Sequence, residues 1–152
     1  MREILFRGKE IDNNEWVKGA FIAIQTDLDE NDQYFIVDDI NFRDSIYDVW
    51  KYAYKVDQKT VGQFTGKIDK NGKKIFEGDI FHLEDDIFAV VIFSDGCFRL
   101  EEYGLCGTLT ESGYDECGGG YGIIECEPID WYFLKDMEII GNIHDNPELI
   151  PH

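Results

Sequence analysis

The chain has 152 residues, 43% apolar and 14% aromatic, and its 14 basic against 32 acidic residues give a net charge of −18. That apolar share supports a packed core, as one domain or one domain with a small subdomain, and argues against a disordered chain. The negative field disfavours direct binding to a phosphate backbone or an anionic membrane surface. The longest apolar run, residues 87–93, is far too short to span a bilayer.

In chain order, strands are expected over 4–7 and 16–24, joined by the polar turn Asp12-Asn13-Asn14. A third short strand is expected over 34–37, after an acidic loop. Residues 46–56 read two ways. Val49, Tyr52, Ala53 and Val56 recur at helical spacing, while Tyr47, Val49, Tyr52 and Tyr54 serve a strand; strand is the reading adopted.

Residues 60–80, TVGQFTGKIDKNGKKIFEGDI, hold two turn signals. Asn71-Gly72 supplies residues that tolerate positive φ, so a type I′ hairpin is expected, flanked by Phe64 and Ile68 before it and Ile75 and Phe76 after. Glu77-Gly78-Asp79 permits a sharp bend into the next strand, and turn chemistry is the plain reading of both acids.

Lysines concentrate around the same place. Residues 51–74 carry Lys51, Lys55, Lys59, Lys67, Lys70, Lys73 and Lys74 against two acids, whereas residues 75–152 carry two bases against eighteen acids. Such an island serves as a solvated, lysine-protected hairpin edge. It also serves as a docking surface for acidic groups of this chain or of a second copy. Lys67, Lys70, Lys73 and Lys74 are therefore the candidate interaction residues.

Further strands are expected over 79–83, 87–93 and 97–103, the last two joined by Ser94-Asp95-Gly96. The run IFAVVIF does not alternate, so both of its faces must be covered, by a second layer of the chain or by another subunit. Between two of these strands lie Glu84, Asp85 and Asp86, whose oxygens suit a hard divalent cation, although a charged hairpin loop is the simpler reading. His82 sits on a strand among apolar neighbours and reads as structural.

Cys97, Cys106, Cys117 and Cys126 include no Cys-x-x-Cys pair, which argues for free thiols over a zinc site. The loop GYDECGGGYG lacks the lysine and spacing of a phosphate-binding loop; its Tyr114 and Tyr121 are candidate partner contacts. A closing strand is expected over 137–143, followed by a turn at 144–147 and a short apolar tail, Leu149-Ile150.

Three segments, VGQFTGKIDKNGKKIFEGDI, MREILFRGKEIDNNEWVKGAFI and MEIIGNIHDNPEL, together resemble the YopX family of phage and prophage proteins. The resemblance implies a mostly β fold with an SH3-like barrel element, additional strands and little helix. It also implies phage or prophage origin and the cytoplasm of a host bacterium, and it carries no activity. One domain over 1–152 is expected, with a possible division into a β unit at 1–58 and a barrel-like unit at 59–152 holding an inserted loop at 103–131.

The expected function is protein binding without catalysis, as a homo-oligomer or with a host protein, and with no cofactor and no membrane partner. Two alternatives stand beside it. One is a divalent-metal-dependent enzyme using Glu84, Asp85 and Asp86; the other is an acidic mimic of nucleic acid that binds a basic host protein.

Overall fold

The computed structural model describes residues 3–25, 32–38, 49–84, 86–105, 108–110, 113–115, 121–130 and 134–150. The fold is mostly β, with thirteen strands and no α-helical element among the described residues. The chain divides into two compact units, residues 1–66 and 67–152.

The first unit holds β1 (Phe6–Lys9), β2 (Trp16–Ile24), β3 (Gln33–Val37), β4 (Ala53–Lys55) and most of β5 (Gly62–Ile68), hydrogen-bonded in the order β4-β3-β2-β1-β5. All recorded pairings among these strands are antiparallel. Alternation sends Ile36 and Val56 to one buried face, where Gly8 lies so close that a Cβ would stand 3.1 Å from Ile36 Cδ1 and 3.2 Å from Val56 Cβ. At Gly19 the approach is closer still: a Cβ would lie 1.8 Å from the Val37 carbonyl oxygen. The glycine of Trp-Val-Lys-Gly is thus required by the neighbouring strand.

On the opposite face Lys9 is paired across the ladder with Trp16. The Arg7 guanidinium lies 4.7 Å from the Trp16 ring centroid and the Lys9 ammonium 5.5 Å from it. One indole thereby shelters two cations that are each at least nine-tenths buried, which is the physical use of the basic first strand. The ends of β1 and β4 meet at a single bridge, Glu10 to Val56, flanked by Ile11 N–H donating to Lys55 O and Asp57 N–H to Lys9 O, both at 3.0 Å. Neither of the large sheets is a closed barrel among the described strands.

The ambiguous segment resolves into two pieces. Val49–Tyr52 forms a 3-10 turn and only Ala53–Lys55 is strand; residues 46–48 lie outside the described set. The helical spacing of Val49 and Tyr52 was a real signal, but the piece is too short for an α-helix.

The Asn71-Gly72 hairpin forms, between β5 and its hydrogen-bonded neighbour β6 (Lys74–Phe76). Its turn is not type I′, because Asn71 is not among the residues with positive φ and only Gly72, at +81°, turns left-handed. Gly72 N–H donates to Asp69 O at 3.0 Å and Asp69 N–H to Lys73 O at 2.9 Å, the pattern of a type I turn closed by a left-handed glycine in a three-residue loop. The two consecutive positive φ values expected there occur instead at Asp95 (51°) and Gly96 (80°), between the paired Ser94 and Cys97.

The second unit is built on β7 (Asp79–Glu84), β8 (Ile87–Ser94), β9 (Cys97–Leu105), β12 (Tyr121–Pro128) and β13 (Ile139–Asn142), in the order β12-β9-β8-β7-β13. A separate hairpin pairs β10 (Thr108–Thr110) with β11 (Gly113–Asp115). Both faces of the run in β8 are covered by the chain itself over residues 88–92, while Phe93 is 49% exposed. Ala89 and Val91 enter a core with Ile75, Phe81, Leu134 and Ile139. Val90 packs with Ile80 and Ile150, and Phe88, Ile92 and Leu149 lie against that cluster.

The tail reaches its place through a turn stitched by asparagines. His144 and Asp145 N–H groups donate to Asn142 Oδ1, both at 3.0 Å, and Asn146 N–H donates to Asn142 O at 2.9 Å. The closing Ile-Gly-Asn-Ile-x-x-Asn-Pro pattern is therefore a device that returns Leu149 and Ile150 to the sheet.

Candidate interaction surface

The lysine hairpin is held by one buried carboxylate that the charge pattern did not single out. Asp69 is only 4% exposed. Its Oδ1 accepts the N–H groups of Asn71 and Lys73, both at 2.8 Å, and its Oδ2 accepts the N–H of Ile139 on β13 at 3.2 Å. Burial alone would raise the pKa of this acid. The N–H donors of Lys73, Ile139 and Asn71, with the Lys73 charge, outweigh burial and hold the carboxyl below its ordinary value.

Two more bonds fix the tip. Lys70 N–H donates to Met137 O at 3.0 Å, and Lys70 Nζ lies 2.8 Å from Glu138 Oε2. This ion pair holds the Glu138 carboxyl below its ordinary value. Lys70 is thus engaged with acidic surface of its own chain. Lys67 and Lys73 stand exposed, Lys74 is half-buried, and Ile68 between them is 54% exposed. The hairpin therefore carries an exposed apolar side chain and exposed lysines on a turn whose backbone is held by Asp69.

The neighbouring Asp79 is likewise structural. Asp79, fully buried, accepts Phe76 N–H on Oδ2 at 2.7 Å, closing the Gly78 bend, while Gly78 itself joins Val91 O and Ile143 N–H. This agrees with reading Gly78-Asp79 as turn chemistry. An aspartate two residues before Asn-Gly, or just after a bend glycine, is a readable capping signal. That Asp69 also holds residue 139 is not readable, because nothing local to either residue records it.

At the far edge of the second sheet the charge is reversed. β12 carries Glu125 and Glu127 and no base, and its partner β9 carries Glu101 and Glu102. Glu125 stands opposite Glu102 in the register, and Glu127 is exposed, as is Ile123 at 55%. Tyr103 donates its hydroxyl to Glu101; burial, this hydrogen bond and the adjacent negative charge push its pKa up to about 12. Arg99 answers part of the field, with Nη1 on Asp95 Oδ2 at 2.8 Å and Nη2 on Cys126 O at 3.1 Å.

The other candidates fall apart from this hairpin or outside the description. Asp86 is exposed, Asp85 and the Glu84 side chain lie outside the described residues, and His82 is exposed with its ring stacked on Phe88 at 5.0 Å. Among the described residues no group of three or more His, Cys, Asp or Glu could hold a metal ion. Tyr114 lies on β11 and Tyr121 begins β12, their side chains outside the description, as are Cys106 and Cys117. Cys97 and Cys126 are half-buried free thiols. No helix among the described residues is long and apolar enough to cross a membrane.

Sequence reasoning also missed a cleft of about 410 Å³ in the first unit. Lys9, Lys55, Glu10, Asp32, Asp57 and Tyr34 are among its walls. Both lysines and carboxylates line it, so it has no single electrostatic preference.

A comparison with known protein families matches residues 5–151 to the family described as YopX protein. A comparison with curated proteins found no match.

Proposed function

We propose, on the premise that this chain belongs to the YopX family, that it works by binding protein, with the lysine hairpin as its contact surface. What supports the reading is the hairpin itself: an isoleucine, Ile68, more than half exposed, with exposed lysines at 67 and 73, on a turn held by three backbone hydrogen bonds to buried Asp69. A preorganised surface loses little entropy on association, and an apolar centre with a charged rim suits specific docking. In this reading the protein is a phage- or prophage-encoded accessory factor of the bacterial cytoplasm. An SH3-like curl of the second sheet is part of the same reading, supported by register shifts at 82/84, 123/125 and 139/141 that bend its strands.

The test is affinity capture from bacterial lysate on the immobilised protein, with the protein itself counted as a possible catch. A captured protein that is lost from the double variant Lys67→Glu, Lys73→Glu supports the reading. Capture that is indifferent to the two lysines, or no specific capture across salt concentrations, ends it.

A further inference from the structure

Asn71-Gly72 is the only asparagine-glycine pair in the sequence, and such a pair carries a reaction of its own. The glycine N–H loses its proton to hydroxide, and its nitrogen attacks the carbonyl carbon of the asparagine side chain. The new C–N bond closes a cyclic imide, and the side-chain nitrogen leaves as ammonia. Water then opens the imide at either carbonyl, giving aspartate or, with the main chain rerouted through Cβ, isoaspartate. Glycine favours the attack because it has no side chain to hinder it.

The folded turn withholds both reacting groups. The Gly72 N–H is donated to Asp69 O at 3.0 Å, and the Asn71 side chain is hydrogen-bonded to the Glu138 carboxylate. The Asn71 N–H is held by Asp69 Oδ1 at 2.8 Å, and Glu138 is fixed in turn by Lys70 Nζ at 2.8 Å. Asn71 and Gly72 are both exposed, so hydroxide reaches them, and hydrogen bonding rather than burial is what guards the pair. Lys70 and Lys73 stand on either side of it in the sequence. Once the turn opens, their charge favours the deprotonated glycine nitrogen, so a pair that is quiet when held becomes reactive when released.

We propose that Asn71-Gly72 is a deamidation site guarded by the folded hairpin, and that its conversion to isoaspartate is a one-way release of the turn. Isoaspartate adds a main-chain carbon between the N–H groups of residues 71 and 73, which share Asp69 Oδ1 at 2.8 Å each, and it removes the amide that Glu138 holds. A turn that re-forms after conversion cannot make the same set of bonds. This holds whatever the hairpin binds.

Peptide-resolved mass spectrometry of the full chain, incubated at mildly alkaline pH in buffer and in urea, tests it. The expected result is an amide-to-acid mass change at Asn71 that proceeds at least about tenfold more slowly in buffer, a difference of about 1.4 kcal/mol in barrier. Glu138→Ala, which removes an exposed partner and leaves the core alone, should convert faster than the native chain. Asp69→Ala should be faster again, with circular dichroism showing that each variant is folded; if Asp69→Ala is not, Glu138→Ala decides. Chain aged in urea and returned to buffer should melt below chain passed through urea briefly. Equal rates in buffer and urea overturn the guard, as do folded variants no faster than the native chain. No conversion in urea overturns the site itself, and equal melting overturns the one-way release.

Discussion

The carboxylate of Asp69 and the backbone N–H of Ile139 are joined at 3.2 Å across seventy residues of sequence. The bond ties a hairpin turn to the strand at the opposite edge of the second sheet's order. It opposes the mutual repulsion of the three lysines within five residues of this turn.

Asp69→Ala leaves three N–H groups without their acceptor, two of them within the turn. With about 1–3 kcal/mol for each buried group left unsatisfied, and the turn free to relax toward water, a loss of roughly 2–4 kcal/mol is expected. Urea denaturation measures it. A loss below about 0.5 kcal/mol, the range of ordinary surface changes, would show that the turn does not depend on this carboxylate.

Acid should act through the same residue. Because the folded-state pKa of Asp69 lies below its unfolded value, the stability it adds is present above the unfolded pKa and is lost as pH falls through the folded one. Stability should therefore fall below about pH 4, the ordinary aspartate range, and the fall should be shallower in Asp69→Asn. Melting temperatures of the two proteins from pH 6 to pH 2 make the comparison, and parallel curves would contradict it.

Two glycines should respond differently to the same methyl group. Gly19→Ala puts a Cβ against the Val37 carbonyl, where backbone must move, and should unfold the first unit or weaken it by more than about 3 kcal/mol. Gly66→Ala meets nothing within 4 Å but must hold a φ of +86°, for a strain of about 1–3 kcal/mol. Urea midpoints rank them, and a Gly19 variant as stable as the Gly66 variant would refute the close approach.

Ile150→Ala should cost about 2–4 kcal/mol, the range for a buried isoleucine, because this tail covers Ile80 and Val90. Binding of a hydrophobic dye should rise with it. If stability is unchanged, the tail is not the cover of that face.

Magnesium, manganese, calcium and zinc are each expected to leave the melting temperature unchanged. A ligand that binds the folded chain raises it by mass action, so a rise abolished by Glu84→Gln with Asp86→Asn would instead favour the divalent-metal enzyme.

Much of the fold was legible because its signals are local. The alternation in Trp16–Ile24 and the punctuation at Ser94-Asp95-Gly96 locate strands and turns without reference to anything distant. The type I′ expectation at Asn71-Gly72 failed because the side chain of Asp69 competes for the turn's own N–H groups. The lysine island was visible as composition. That Lys70 turns to Glu138 was not, since the acid lies sixty-eight residues away.

By itself the sequence determined the β class, the hairpins, the charge segregation and the three blocks that carry the family resemblance, all of which rest on neighbours within a few positions. Tertiary structure alone decided what those blocks hold. Gly19 meets Val37, Asp69 holds Ile139, and Ile150 covers Val90. Each of these is a contact between residues brought together only when strands pair and pack, and the spacing along the chain records no trace of it.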